Sequence, residues 1–152
     1  MFEHYLCVHP SGDLDWIQLE RVVRFDSFYD GEETILLSDL YPVIGCSCVE
    51  QVHTVIPNIV IMVDECGKIK DPPQALNPLA SRFYLGTGFG DPIVGPAVFM
   101  ALKRVEPYWE PDVYPLSPDQ ERQVAAVLGR PLPPKLLSDP PPSDLQGGDL
   151  DD

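Results

Sequence analysis

Ile59-Val-Ile-Met-Val-Asp-Glu-Cys-Gly-Lys-Ile-Lys70 is the stretch on which the fold turns. Ile59 to Val63 is apolar at every position, the pattern of a central strand covered on both faces, although so short a run also suits a buried helical turn. Glu65-Cys66-Gly67 has the composition of a three-residue hairpin loop: a type I turn with Gly67 in the left-handed conformation as a bulge. Lys68-Ile69-Lys70 then starts a return strand, which Asp71-Pro72-Pro73 ends.

On the N-terminal side, Cys46 to Val55 is rich in β-branched residues and reads as a strand, joined to the apolar run through Pro57-Asn58. Tyr5–Val8 and Leu14–Leu19 flank His9-Pro-Ser-Gly-Asp13, in which proline presets a turn and Gly12 accepts a positive φ, so a β-hairpin is expected. Val22 to Phe25 is a possible strand, and Glu32 to Leu37 suits a strand or a short helix. Pro42 is expected to stop any helix soon after Ser38-Asp39-Leu40-Tyr41. On the C-terminal side, Asn77 to Leu85 reads as a loop with one helical turn and a short extended piece. Gly86 to Pro92 is a flexible turn, and Ile93 to Leu102 is the second strong strand, with Pro96 at an edge or bulge because it lacks a ladder donor.

The clearest helix is late. Ser117 suits an N-cap, Pro118 the first helical position and Gln120 the capping box, while Gly129 and Pro131 stop a helix over 118–128. Val124, Val127 and Leu128 share one side of it. Beyond Gly129 prolines and glycines recur, and Asp139, Asp144, Asp149, Asp151 and Asp152 follow without a base, the composition of a disordered acidic tail. The expected architecture is α+β: a mostly antiparallel sheet of about five strands, one C-terminal helix packed on it, a single domain over residues 1–130 and a disordered tail over 131–152.

Several of these pieces carry a likeness beyond composition. Ile44-Gly45 before a Val49-Glu50 strand, Asp64-Glu-Cys-Gly-Lys68, Asn77-x-x-Ala80 and Asp91-Pro-Ile-Val-Gly95 together resemble a small domain family of unknown function found in bacteriophages, plasmids and conjugative elements. The likeness spans roughly residues 2–105, and is strongest in order and spacing over 44–102. The chain departs from the family pattern at Pro96, where an Asp or another small polar residue is usual, and at Cys66, where an acid or amide is usual. The resemblance implies an α+β domain carried by a mobile element and acting in a bacterial host; it implies no reaction, ligand or catalytic residue.

Charge and composition bound the function. The 152 residues carry 24 acidic and 10 basic side chains, a formal charge of −14, which repels phosphate backbones and favours a basic partner or plain solubility. Direct nucleic-acid binding is not expected, whereas imitation of nucleic acid by the acidic surface stays open. The N-terminal segment Met1 to Cys7 lacks a basic flank followed by a long apolar stretch, and no window approaches a membrane span, so a cytoplasmic protein with reduced cysteines is expected.

No catalytic group, cofactor or metal is expected. Cys46, Cys48, His53 and Cys66 are the thiolate-rich set that zinc would use, but the spacing is not that of paired Cys-x2-Cys ligands, and alternation from Cys46 and Cys48 puts His53 on the opposite face. His4, His9 and His53 stand beside no recognisable nucleophile motif. Asp64, Glu65 and Asp91 read as turn-bracing acids more simply than as an acid-base pair. Gly86-x-Gly88-x-Gly90 lacks the helix and Lys-Ser/Thr of a phosphate loop. Should a small ligand bind, its candidate rim is Lys68, Asn77, Arg82, Gly86, Gly88 and Gly90. Tyr108, Trp109 and Tyr114 are the candidate protein-binding patch, or else lay the connector over the sheet. The function expected is that of a non-enzymatic accessory protein binding a host protein to modulate host defence or replication; the alternative is a protein that binds or sequesters a nucleotide signal.

Overall fold

The computed structural model describes residues 2–23, 33–84, 92–104 and 111–135. Among the described residues seven strands run antiparallel: β1 (Phe2–Val8), β2 (Leu14–Val23), β3 (Glu33–Ile35), β4 (Val49–His53), β5 (Ile59–Asp64), β6 (Ala97–Lys103) and β7 (Asp112–Tyr114). They form one sheet in the order β3-β2-β1-β6-β5-β4. β1 and β7 share one side of β6: Leu6–Val8 pair with its first half, and Asp112–Tyr114 with its second. The sheet therefore has more strands than the five expected, because Glu33–Ile35 and Asp112–Tyr114 are three-residue strands too short to announce themselves by alternation.

The uninterrupted apolar run is explained by two cores. Ile59, Ile61 and Val63 of β5 join Leu6, Val8, Ala97 and Phe99 on one face, and Val60 and Met62 join Tyr5, Cys7, Val98 and Met100 on the other. The first face is covered by the helical turn α2 (Pro78–Ser81) and by α3 (Pro118–Leu128), through Leu79, Ala80, Phe83, Val124 and Leu128. Phe83 meets Phe99 edge-on, with ring centroids 4.8 Å apart. The second face is covered by Ile35, by Leu40 of a 3₁₀ turn over Leu37–Leu40, by Ile44 of α1 (Tyr41–Ile44) and by Val113.

Local signals fixed several elements. The β1–β2 turn closes through His9 N–H to Asp13 O (2.9 Å), with Gly12 at φ 94°. In α3 Ser117 and Gln120 form the capping box and Gly129 is left-handed. The chain past Gly129 is held at first: Trp16 Nε1 donates to Pro133 O at 2.7 Å and Leu132 packs on the first core. The tail expected from residue 131 thus includes a docked segment over 131–135, while the acidic stretch beyond lies outside the described residues.

Three expectations require correction. Lys68–Lys70 is no return strand: both edges of β5 are taken by β4 and β6, and the chain after Asp64 winds through turns closed by Gly67 N–H to Asp64 O and Ile69 N–H to Cys66 O. Gly67 is not left-handed; a Cβ there would stand 2.8 Å from Gln74 Oε1 and 2.9 Å from Val94 Cγ2, so a larger residue has to displace one of those side chains. Pro42 does not stop a helix but sits in the first turn of α1, where a missing N–H costs nothing. In addition, β4 begins at Val49 rather than Cys46.

Gly95, by contrast, does need a positive φ (74°), and its Cβ would overlap the Gln74 carboxamide. Gly95→Ala is expected to cost about 1–3 kcal/mol of stability, strain that no side chain here relieves. A urea unfolding midpoint unchanged from the parent would refute this.

Candidate functional site

The signature after β5 is a brace. Asp64 is buried, its Oδ1 accepting Cys66 N–H at 2.9 Å and its Oδ2 paired with Lys70 Nζ. Lys70 also donates to Gly45 O at 2.7 Å, and Gln74 Nε2 to Ile44 O at 3.1 Å. These bonds lash the turns after β5 to the end of α1, whose last residue is followed by left-handed Gly45.

The candidate ligand rim is only partly assembled. Lys68 lines two adjoining clefts of about 290 and 370 Å³, one walled by Glu50, Asp64, Glu65 and Tyr84, the other by Pro73, Gln74 and Leu76. Asn77 is fully buried, capping α2 and bonding the backbone on either side of it. Arg82 Nη1 donates to Leu128 O at 2.9 Å, satisfying a carbonyl at the C-terminus of α3. Gly86, Gly88 and Gly90 lie outside the described residues, as do Tyr108, Trp109 and Asp91. Tyr114 lies in β7 with its ring against two cations, the Arg21 guanidinium at 4.4 Å and Lys103 Nζ at 4.6 Å.

A larger opening, of about 500 Å³, was not marked out by sequence. Val22, Leu36, Leu37, Met62, Leu102 and Val113 line it, with Asp112 as its acid. Leu36, Leu37 and Val23 are each more than two-fifths exposed, and Glu33 and Asp39 stand exposed in the chain on either side of the leucines. The sequence signal available was the dipeptide Leu36-Leu37. It was absorbed into an expected strand or helix, whereas the chain leaves β3 at Ile35 and turns both leucines outward.

The zinc set considered from sequence does not converge. Val49 pairs with Asp64 at one end of β4 and His53 with Val60 at the other, so His53 stands away from the cysteines. Cys48 Sγ donates to Glu65 Oε1 at 2.8 Å, and that hydrogen bond, ahead of desolvation, raises its pKa. Among the described residues one group of three metal-ligating side chains does converge: Cys7, His9 and Asp15, whose ligand atoms lie within 4.8 Å of one another. Burial, and then Asp15, push the Cys7 thiol up to about 12, so in the metal-free protein it is protonated and no nucleophile at neutral pH. The hairpin register puts Cys7 opposite Asp15; the sequence signal was Cys7-x-His9 beside the turn, apart from the Cys46, Cys48, His53 and Cys66 set, and the third ligand comes from the facing strand.

No family model, curated protein or solved structure matches the chain. Among the described residues, no helix is long and apolar enough to cross a membrane.

Proposed function

We propose that the chain is a non-enzymatic accessory protein of a phage or other mobile element, which binds a basic host protein in the bacterial cytoplasm and so modulates host defence or replication. The observation that carries the binding role is the open cleft with Leu36 and Leu37 at its mouth, an apolar patch set in a strongly acidic chain. Such a patch gains from apolar burial, while the surrounding charge steers and selects a partner of opposite sign. The sequence resemblance supplies the mobile-element setting.

The test places a photo-crosslinking residue at Leu37 and recovers the host protein it captures. A basic protein is expected, released as salt rises, and bound at least tenfold more weakly (~1.4 kcal/mol) by Leu36→Asp/Leu37→Asp than by the parent. The double variant is expected to melt close to the parent, since both side chains already face solvent. Capture that survives the double substitution would refute the reading.

The alternative, a binder of nucleotide signals, draws on the cleft where Lys68 and Tyr84 meet. Glu50, Asp64 and Glu65 in the same wall oppose a phosphate there, which is why the protein-binding reading is preferred. A nucleotide-dependent rise in melting temperature that Lys68→Ala abolishes would reverse that preference.

A further inference from the structure

We propose that Cys7, His9 and Asp15 bind one divalent transition-metal ion of the zinc class through three protein atoms, with a fourth position open to solvent. β1 and β2 create the site by register. Cys7 stands directly opposite Asp15, so both side chains leave the same face of the sheet, and His9, two residues beyond Cys7, comes out on that side as the strand ends. The turn that fixes their spacing is itself held, by His9 N–H to Asp13 O and by Arg130 Nη1 donating to Gly12 O at 3.0 Å.

The distances suit a small tetrahedral ion. Metal bonds of about 2.0 Å to nitrogen and oxygen at tetrahedral angles put those two atoms about 3.3 Å apart, and His9 Nε2 lies 3.1 Å from Asp15 Oδ1. A thiolate bond of about 2.3 Å puts sulfur about 3.5 Å from either one. The ligand atoms of the group lie within 4.8 Å of one another, and the approach to sulfur is left to the side chains of His9 and Asp15, which are 31% and 59% exposed. Cys7 supplies the dry side, buried among Tyr5, Val98 and the second core, while solvent reaches the ion past His9 and Asp15. One thiolate, one imidazole and one carboxylate select zinc-like ions over magnesium or calcium, which prefer all-oxygen shells. Three protein ligands with an open position leave room for a water or for a donor from another molecule. On binding, the Cys7 thiol releases its proton to solvent and sulfur bonds the ion.

The full chain, purified without a histidine tag and stripped of metal, is titrated with cobalt(II) and then zinc(II). The expected result is one equivalent of cobalt per chain, a thiolate-to-cobalt charge-transfer band with the intense visible absorption of a four-coordinate ion, and loss of both when zinc displaces it. Cys46→Ser/Cys48→Ser/Cys66→Ser is expected to keep the spectrum, and Cys7→Ala to lose the charge-transfer band. His9→Ala, at the exposed end, is expected to weaken cobalt binding at least a hundredfold, roughly the most that losing an outer-shell partner costs. Absence of the band in the parent, or a band kept by Cys7→Ala and lost in the triple variant, would overturn the proposal. If Cys7→Ala fails to fold, His9→Ala decides: unchanged cobalt affinity overturns it.

Discussion

Arg21→Met is expected to destabilise the protein by about 3–5 kcal/mol, the cost of removing one partner from a buried ion pair. The guanidinium is buried in β2 and ties four strands together. Its Nε donates to Glu3 Oε1 at 2.9 Å in β1 and its Nη1 to Glu33 O at 3.2 Å in β3; its Nη2 donates to Tyr5 OH at 3.1 Å and to Val113 O at 2.6 Å in β7. Asp112 stands 3.7 Å from Nη1, and the Tyr114 ring 4.4 Å from the guanidinium carbon. Burial pulls the arginine pKa down, but Glu3 and Tyr5 outweigh it, so the net shift is upward and the group stays charged. Tyr5, itself raised by burial and then by Glu3, stays neutral and donates to Glu3 Oε1 at 2.8 Å while accepting from Arg21.

Methionine fills much of the same volume, yet it leaves the Glu3 carboxylate with the Tyr5 hydroxyl but without the guanidinium as countercharge, and takes the guanidinium donor from the Val113 carbonyl. β7 is three residues long and holds to β6 by few ladder bonds, so its anchorage should fail first. Arg21→Lys should recover only part of the loss, because one ammonium cannot span acceptors in three strands. Adding Glu3→Gln to Arg21→Met should be less harmful than the sum of the singles, since the orphaned charge goes with it. Urea unfolding of the parent, the three single variants Arg21→Met, Arg21→Lys and Glu3→Gln, and the double variant reads all of this. An unfolding free energy for Arg21→Met within about 1 kcal/mol of the parent's would put the network among the weakly contributing ion pairs.

The same network marks where the sequence stops being legible. Ile59–Val63, the β1–β2 hairpin and α3 could be read because each signal is local: a run apolar on both faces, a turn with Gly12 beside a proline, a cap followed three residues later by its partner. Arg21 meets Val113 O across 92 positions, and nothing about an arginine in a β-rich stretch states that it will be buried. Gly67 shows the opposite failure. Turn chemistry offered a reason for the glycine, and the true one is crowding by Gln74 and Val94, which a local reading does not bring near. The return strand failed for a related cause: a hairpin was inferred from its loop, while both edges of β5 were already committed to β4 and to β6, over thirty residues on. Of the candidate rim, Lys68 was legible as an exposed cation, but the backbone roles of Asn77 and Arg82 belong to tertiary contacts.

Asn77→Asp separates those roles most sharply, and it is expected to cost at least about 3 kcal/mol despite matching asparagine in shape. Asn77 Oδ1 accepts Ala80 N–H at 3.1 Å, the N-cap bond of α2, and an aspartate oxygen would keep it. Nδ2 donates to Val8 O and to Gly95 O, both at 2.8 Å, joining the end of β1 to the turn before β6. The substitution turns those two donors into lone pairs aimed at carbonyls in a site with no exposure. Each stranded buried group costs about 1–3 kcal/mol, and a buried unpaired charge adds to that. Asn77→Ala should be the milder change: it loses the cap as well, worth about 1 kcal/mol, but introduces no charge. The order decides the matter. Were capping the main role, Asn77→Asp would unfold near the parent and Asn77→Ala would be the worse of the two; were Asn77 a ligand contact alone, both would leave the urea midpoint unmoved. The introduced carboxyl, buried with the Ala80 N–H as its one donor among the described residues and two carbonyls facing its other oxygen, would hold its proton to a higher pH than in the unfolded chain. Its deficit should therefore shrink as pH falls through the acid range and grow as pH rises, a slope that Asn77→Ala cannot share.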